Sequence, residues 1–261
     1  MTMHSRRHWP LCRAGYRQTK AIMANAIVGA VIVLASSCGQ AGNARAQTVN
    51  SRYPKAMPIE QYRSTTPAEE IALARSAAPP SISSNAEVLV LGHSGYLAAV
   101  KGTNGFVCLV ERSWDAGFDD PQFWNPKIRG PNCFNATAAR TQLPQFLKRT
   151  EWVLSGASRQ ELIERTRSAF ANHTFKSPEP GAVSYMLSRS GYVSDDAAGP
   201  WLPHMMFYVP HGQATVWGAG AKGSPIIGHD DSDIESTVLV IPVLHWSDGS
   251  PAQAPDALLL R

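Results

Sequence analysis

The chain has 261 residues and a formal net charge of +4, but its positive charge is concentrated at the N-terminus. Residues 1–46 hold six of the 24 Lys and Arg residues and none of the 20 Asp and Glu residues, which leaves 18 basic and 20 acidic side chains, net −2, in the rest. This balance excludes the basic surface of a nucleic-acid-binding protein, and no Lys/Arg cluster indicates an anionic membrane surface.

Residues 1–46 have the three parts of a secretory signal peptide. Several basic residues precede an apolar run from Ala21 to Ala35, and a small-x-small cleavage pattern ends at Ala46. The apolar run is short for a transmembrane helix, so we expect cleavage after Ala46 and export to the periplasm or beyond the cell. Lipid attachment at Cys38 is an alternative that would tether the protein to the membrane. No other membrane contact is expected.

The pattern beyond the signal divides into three parts. Residues 47–65 are polar and predict a flexible tether, and residues 251–261 predict a frayed tail. Residues 66–250 predict a single globular domain, since about 200 residues suit one hydrophobic core.

The first elements of the domain are a helix and a sheet. Thr66, Pro67 and Glu69 are the start signals of a helix that runs to about residue 77. Three apolar runs then alternate with two turn signals, which predicts a three-stranded β-meander over 88–91, 96–100 and 106–110. The runs are apolar at nearly every position, so we expect both faces of the sheet to be covered. We interpret Ser94, between the first two runs, as a hairpin residue rather than a nucleophile.

The segment 112–135 predicts a long loop that is tied to the sheet. Cys108 and Cys133 remain once the signal is removed, and an even number of cysteines in an oxidising compartment predicts a disulfide. The bridge would fold the loop back on the third strand. Its four large aromatic residues should then be buried against that strand and a helix over 144–155, as a wall of the core or of a pocket: Trp114, Phe118, Phe123 and Trp124.

The remaining pattern predicts two helices and three further strands. The helices lie over about 143–155 and 158–170, and the strands over 182–188, 204–209 and 236–243. Groups of strands alternating with groups of helices indicate an α+β fold, with an antiparallel or mixed sheet of about six strands and two to three packed helices. In this order of elements the chain resembles PAS- or Cache-like sensor modules, a likeness of fold that implies no function.

Histidines concentrate in the C-terminal third, and imidazole is a common general base and metal ligand. Their spacing matches no metal motif, so we predict neither a metal site nor a cofactor. The residues form a candidate polar site only: His204, His211, His229, Asp230 and His245.

Three segments resemble a group of uncharacterised exported bacterial proteins. They are KGTNGFVCLVE (101–111), PHMMFYVP (203–210) and IPVLHWSDG (241–249). The resemblance implies export and a single domain, and it brings no activity with it.

Taken together, the sequence predicts an exported domain that is a non-enzymatic small-molecule-binding or accessory module. The motivation is a wealth of aromatic residues without a recognisable catalytic pair. One alternative is a hydrolase that uses a C-terminal histidine with a neighbouring acid such as Asp230. Another is an envelope interaction protein that uses the aromatic loop. The expected partner is an unidentified small molecule or envelope protein.

Overall fold

The computed structural model describes residues 52–195, 202–231 and 233–252. The signal peptide, its cleavage site and Cys38 lie outside these residues, as does the tail beyond residue 252. Within the described part, no helix has the length and apolar character needed to cross a membrane.

The described ranges contain five α-helices and eight β-strands. The helices are α1 (Pro67–Arg75), α2 (Pro80–Ser83), α3 (Ala136–Thr141), α4 (Leu143–Leu154) and α5 (Arg159–Ala171). The strands are β1 (Glu87–Leu91), β2 (Tyr96–Val100), β3 (Val107–Glu111), β4 (Gly130–Phe134), β5 (Val183–Met186), β6 (His204–Pro210), β7 (Ile227–Asp231) and β8 (Ser236–Pro242).

All eight strands form one sheet in the order β2-β1-β3-β4-β5-β6-β8-β7. The β1–β3 pair is parallel and every other pair is antiparallel. The predicted α+β class with a mixed sheet is therefore confirmed, but the sheet has eight strands instead of about six. The two additional strands are β4 and β7.

The predicted β-meander is wrong in its second half. β1 and β2 do form a hairpin, in which the Gly92 N–H donates to the Gly95 carbonyl at 2.8 Å. After β2, however, the chain passes around the beginning of β1 and places β3 on the other side of it. Gly102 permits this close approach, because a Cβ there would lie 2.2 Å from the Glu87 nitrogen. The turn signal at 103–105 reverses the chain without pairing β2 with β3.

The predicted loop 112–135 contains a strand at its end. β4 includes Pro131, and proline within a run normally argues against a central strand. Pro131 is tolerated because β5 pairs only with Cys133 and Phe134, so this part of β4 has a neighbour on one side alone. Cys133 lies directly opposite Cys108 across the β3–β4 pair, and the predicted disulfide joins them.

Helices cover both faces of the sheet around β3, as expected. On one face, Cys108 and Val110 pack with Ala74 and Ala77 from α1 and the residues that follow it. On the other face, Leu109 packs with Leu143 at the beginning of α4. Alternation along β3 therefore separates two cores.

The four loop aromatics are buried, as predicted, but the cluster that they form includes no residue of β3, against which they were expected to pack. They form a third cluster with residues from β1, α4 and α5: Trp114, Phe118, Phe123, Trp124, Leu91, Val153 and Leu162. The Trp114 indole N–H donates to the Thr150 hydroxyl of α4 at 2.9 Å. The flat aromatic surface that would have favoured an interaction protein is therefore absent from this segment.

The predicted tether at 47–65 is wrong from residue 52 onward, where the description begins. Tyr62 lies in a short 3-10 helix (Ile59–Tyr62) and is buried. Its hydroxyl donates to the Trp124 carbonyl at 2.9 Å, and its own carbonyl accepts from Arg112 Nε at 2.6 Å. The polarity of the segment concealed this anchoring aromatic residue.

Candidate functional site

A cavity of about 780 Å³ lies between the sheet and α4. Strands β5, β6 and β8 supply one wall, and α4 with the segment after β3 supplies the other. This volume falls in the range of small-molecule sites.

The strand wall of the cavity follows the two-residue repeat of a β-strand. His204, Met206 and Tyr208 occupy alternate positions of β6, so all three face the cavity. Val238 and Val240 do the same on the paired strand β8. The strand wall therefore combines apolar side chains with polar groups.

The helix wall follows one face of α4. Gln142, Gln145, Phe146 and Arg149 line the cavity, and their spacing of three, four and seven residues puts them in one row. The three polar members of this row are buried. An apolar stripe through Phe146 was evident in the sequence, but the polar row beside it was missed. Polar residues at i, i+3 and i+7 next to that stripe were the available signal.

Two carboxyl groups, Glu111 and Asp115, lie on the inner wall of the cavity. Glu111 ends β3, and its Oε1 accepts from Asn132 Nδ2 at 2.6 Å. Asp115 Oδ2 accepts from the Arg112 main-chain N–H at 2.9 Å, whereas its Oδ1 is buried without a hydrogen-bond partner among the described residues. The pair therefore retains unused acceptor capacity.

The surroundings hold protons on these two carboxyls. Burial, followed by the negative charge of Asp115, raises the pKa of Glu111 to about 8. Burial raises the pKa of Asp115 to about 7, although the Arg112 N–H and the charge of Arg149 act in the opposite direction. Like charges close together in a poorly solvated site favour one shared proton.

Arg149 fixes the segment that carries Asp115. Its Nη1 donates to the carbonyls of Trp114 and Ala116, both at 2.9 Å, and its guanidinium lies 4.3 Å from the centre of the Phe118 ring. The helix and the segment after β3 therefore form one rigid wall.

Tyr208 and His204 present neutral polar groups to the cavity at neutral pH. Burial, together with the charge of Glu111, raises the pKa of Tyr208, whose hydroxyl lies 3.0 Å from the Ser184 hydroxyl. Burial lowers the pKa of His204, whose Nδ1 lies 2.9 Å from the Leu202 carbonyl, and nearby His229 lowers it further.

The histidines singled out in the sequence are divided by the structure. His204, His229 and Asp230 line the cavity. His211 contacts Asp230, with 3.0 Å between Nδ1 and Oδ1, and is exposed. His245 is exposed in an isolated bridge with Pro251 and is not part of the cavity wall. Over the described ranges, no group of three or more His, Cys, Asp or Glu side chains is arranged to hold a metal ion.

The chemistry of the site is that of an acceptor-rich pocket. Carboxylates accept hydrogen bonds and bind cations, and a protonated carboxyl can also donate. Together with an apolar wall, these groups can orient a small molecule that has one polar end.

The comparisons with known proteins leave the site to be interpreted from its own geometry. No protein-family profile, curated protein or solved structure matches this chain.

Proposed function

We propose that this protein binds a small molecule in the cavity between α4 and the β5–β6–β8 part of the sheet. The observation that carries the proposal is the combination of volume and lining. A cavity of about 780 Å³ has apolar strand residues on one side and buried polar groups on the other. Ligand sites typically combine an apolar lining with a few convergent polar groups.

The buried polar groups support a ligand more than a purely structural role. Gln142 is 1% exposed, yet its Nε2 has no hydrogen-bond partner among the described residues, and Asp115 Oδ1 shares this property. Buried polar atoms are nearly always paired in folded proteins. Two such atoms in residues of one cavity wall suggest that the pairing is completed by a bound molecule.

The hydrolase alternative has weaker support. A histidine–acid pair does occur, between His211 and Asp230. Asp230 also accepts from the Thr237 hydroxyl at 2.6 Å and from the Gly212 N–H at 2.9 Å, which indicates a turn-stabilising role.

Export to the periplasm, with or without lipid at Cys38, stays part of the proposal on the strength of the sequence and the disulfide.

A thermal-shift screen with a cavity-filling variant tests the proposed function. Compounds that bind the native state should raise the Tm of the secreted form. Val240→Phe adds bulk inside the cavity, so it should abolish those shifts. Ile241→Phe adds the same ring to the opposite face of β8 and should preserve them. Binding that survives Val240→Phe, or a screen without any binder, contradicts the proposal.

A further inference from the structure

We propose that the cavity selects small organic cations, and that the Glu111–Asp115 pair binds the ammonium group of a primary amine with an apolar body. This inference deepens the proposed function and rests on it.

The lining of the cavity is rich in acidic side chains. Six carboxyl groups and one guanidinium contribute to the cavity wall: Glu111, Asp115, Asp119, Asp120, Asp230, Asp233 and Arg149. The potential inside the cavity is therefore negative even when one proton is shared by the inner pair. An anionic ligand would be repelled, whereas a cation would be attracted into the mouth.

The carboxyls at the mouth have counter-charges of their own, and the two carboxyls at the inner end are partly offset by the charge of Arg149. Asp233 accepts from Arg167 Nε at 2.7 Å, and Asp230 lies 3.0 Å from His211. At the inner end, the guanidinium of Arg149 is directed to two main-chain carbonyls and the Phe118 ring. Two carboxyls share this one guanidinium, so the inner end can accommodate an added positive charge.

The inner pair of carboxyls has hydrogen-bond acceptors that are not used within the protein. Asp115 Oδ1 is buried and unpaired, and Glu111 has one carboxyl oxygen engaged by Asn132. An ammonium group has three donors and no acceptor, so it can satisfy both carboxyls at once. Gln142, almost fully buried in the same wall, can donate from Nε2 to a hydroxyl or carbonyl next to the amine.

The strand wall opposite includes an apolar patch next to the polar groups of His204 and Tyr208. Met206, Val238 and Val240 face the cavity and offer no partner to a second charge. A ligand that fits both walls has a cationic end and a hydrocarbon or aromatic body.

Matched probes that differ only in the polar group test the inference. Phenethylamine, 2-phenylethanol and 3-phenylpropanoate share a ring and a chain, and tryptamine, tryptophol and indole-3-propanoate provide a larger set. Calorimetric titration at about pH 8 keeps the amines charged. We expect the amines to bind at least about tenfold more tightly than the alcohols, and the carboxylates not to bind.

Two nearly isosteric variants locate the ammonium site, and a third is the control. Glu111→Gln and Asp115→Asn should each weaken amine binding by about tenfold or more. Glu60→Gln removes an exposed carboxyl that does not line the cavity and should change amine binding less than about threefold. Urea unfolding of each variant verifies that it is folded.

The results separate this inference from the proposed function. Alcohols or carboxylates that bind as well as the amines, and are excluded by Val240→Phe, would leave the small-molecule site in place and overturn its cation selectivity. Amine binding that is unchanged in both Glu111→Gln and Asp115→Asn would overturn the assignment of the pair. Failure of all six probes to bind would also overturn the inference.

Discussion

Two consecutive residues at the end of β3 show how differently one strand can use buried charge. Arg112 extends toward the α1 side of the sheet and Glu111 toward the cavity. Arg112 donates from Nη2 to both carboxyl oxygens of Glu70, at 2.7 and 2.8 Å, and from Nε to the Tyr62 carbonyl. No buried side-chain nitrogen or oxygen of Arg112 or Glu70 lacks a partner, whereas Asp115 retains an unpaired oxygen.

The difference teaches how to tell a structural ion pair from a site. Burial alone would raise the pKa of Glu70, but the charge of Arg112 and the hydrogen bonds it accepts outweigh this effect and lower the pKa. Glu111 and Asp115 are half-buried in the cavity wall; desolvation raises the pKa of both, and the charge of Asp115 raises that of Glu111 further. Complete pairing indicates architecture, and incomplete pairing in a cavity indicates a place for a ligand.

The largest effect should come from breaking the structural pair. Glu70→Ala leaves the Arg112 guanidinium buried without its counter-charge and should lower the free energy of unfolding by about 3–5 kcal/mol. Urea unfolding measures the loss. The double variant Glu70→Leu/Arg112→Met removes both charges and should recover a substantial part of it. A single variant as stable as the wild type would show that the pair contributes no more than a surface ion pair.

The disulfide on the same face of β3 should rank next. It closes a segment with a sequence separation of 25 residues. The chain-entropy relation gives about 3 kcal/mol for a loop of this size, which Cys108→Ala/Cys133→Ala should lose. Mass spectrometry of the unreduced wild type checks the bridge itself. Two alkylatable thiols in the native, air-exposed protein would be incompatible with this structure.

A comparable loss is expected from the cluster that supports the cavity wall. Trp124→Ala empties a buried site between β1 and α5 and should cost about 3 kcal/mol. Iodide quenching of tryptophan fluorescence offers a second measurement. Quenching of Trp124 as efficient in the native as in the unfolded protein would mean that this segment is mobile.

Removing a carboxyl charge from the cavity should raise the free energy of unfolding, whereas the variants above lower it. The native pair holds a proton that the unfolded chain has already released, so its contribution to stability is present at acidic pH and is lost as the pH rises through about 7 to 8. The neighbouring charged and titratable groups are Arg149 on α4, Arg112, Tyr208 on β6 and Tyr96 on β2. Glu111→Gln should therefore stabilise the protein at about pH 8, by about 1 kcal/mol or more.

Unfolding measured across pH distinguishes this outcome. The contribution of this pair should make the wild type less stable as the pH rises from about 5 to about 8. Glu111→Gln should reduce this dependence of the free energy of unfolding on pH. A variant that is less stable than the wild type at every pH would place Glu111 among the structural charges with Glu70.

The smallest effect is expected in the β1–β2 hairpin, which belongs to neither charged region. Ser94 is exposed in the turn, so Ser94→Ala should change stability by less than about 0.5 kcal/mol and leave ligand binding intact. Labelling of Ser94 by a fluorophosphonate probe would show instead that this serine is a nucleophile.

The sequence predicted those parts of the fold that depend on local signals. Capping boxes at Thr66 and Ser158 do begin α1 and α5, and the cysteine pair does form its bridge. The placement of β2 and β3 on opposite sides of β1 could not be predicted, because a turn signal shows that the chain reverses but not which strands pair. β4 was not predicted because it contains Pro131. A proline fits there since β5 pairs only with Cys133 and Phe134, which leaves Pro131 with a neighbouring strand on one side alone.

The candidate site was harder to predict than the fold because its residues are distant in sequence. His204 and His229 were noticed by type, and the structure places both at the cavity. Glu111 and Asp115 were overlooked since an acidic residue at a strand end is usually solvated. The tertiary packing of α4 over β3 reduces their solvation and leaves Asp115 Oδ1 without a partner.

A carboxyl-carbon NMR titration of the ligand-free protein tests the central claim most directly. The account predicts that resonances of Glu111 and Asp115 titrate with midpoints of about 8 and about 7, and that Glu111→Gln removes the upper midpoint. Glu70 should titrate below its ordinary range. If Glu111 and Asp115 both titrate near the ordinary carboxyl range, at about 4, the two regions do not differ and the cavity holds no charge pair reserved for a ligand.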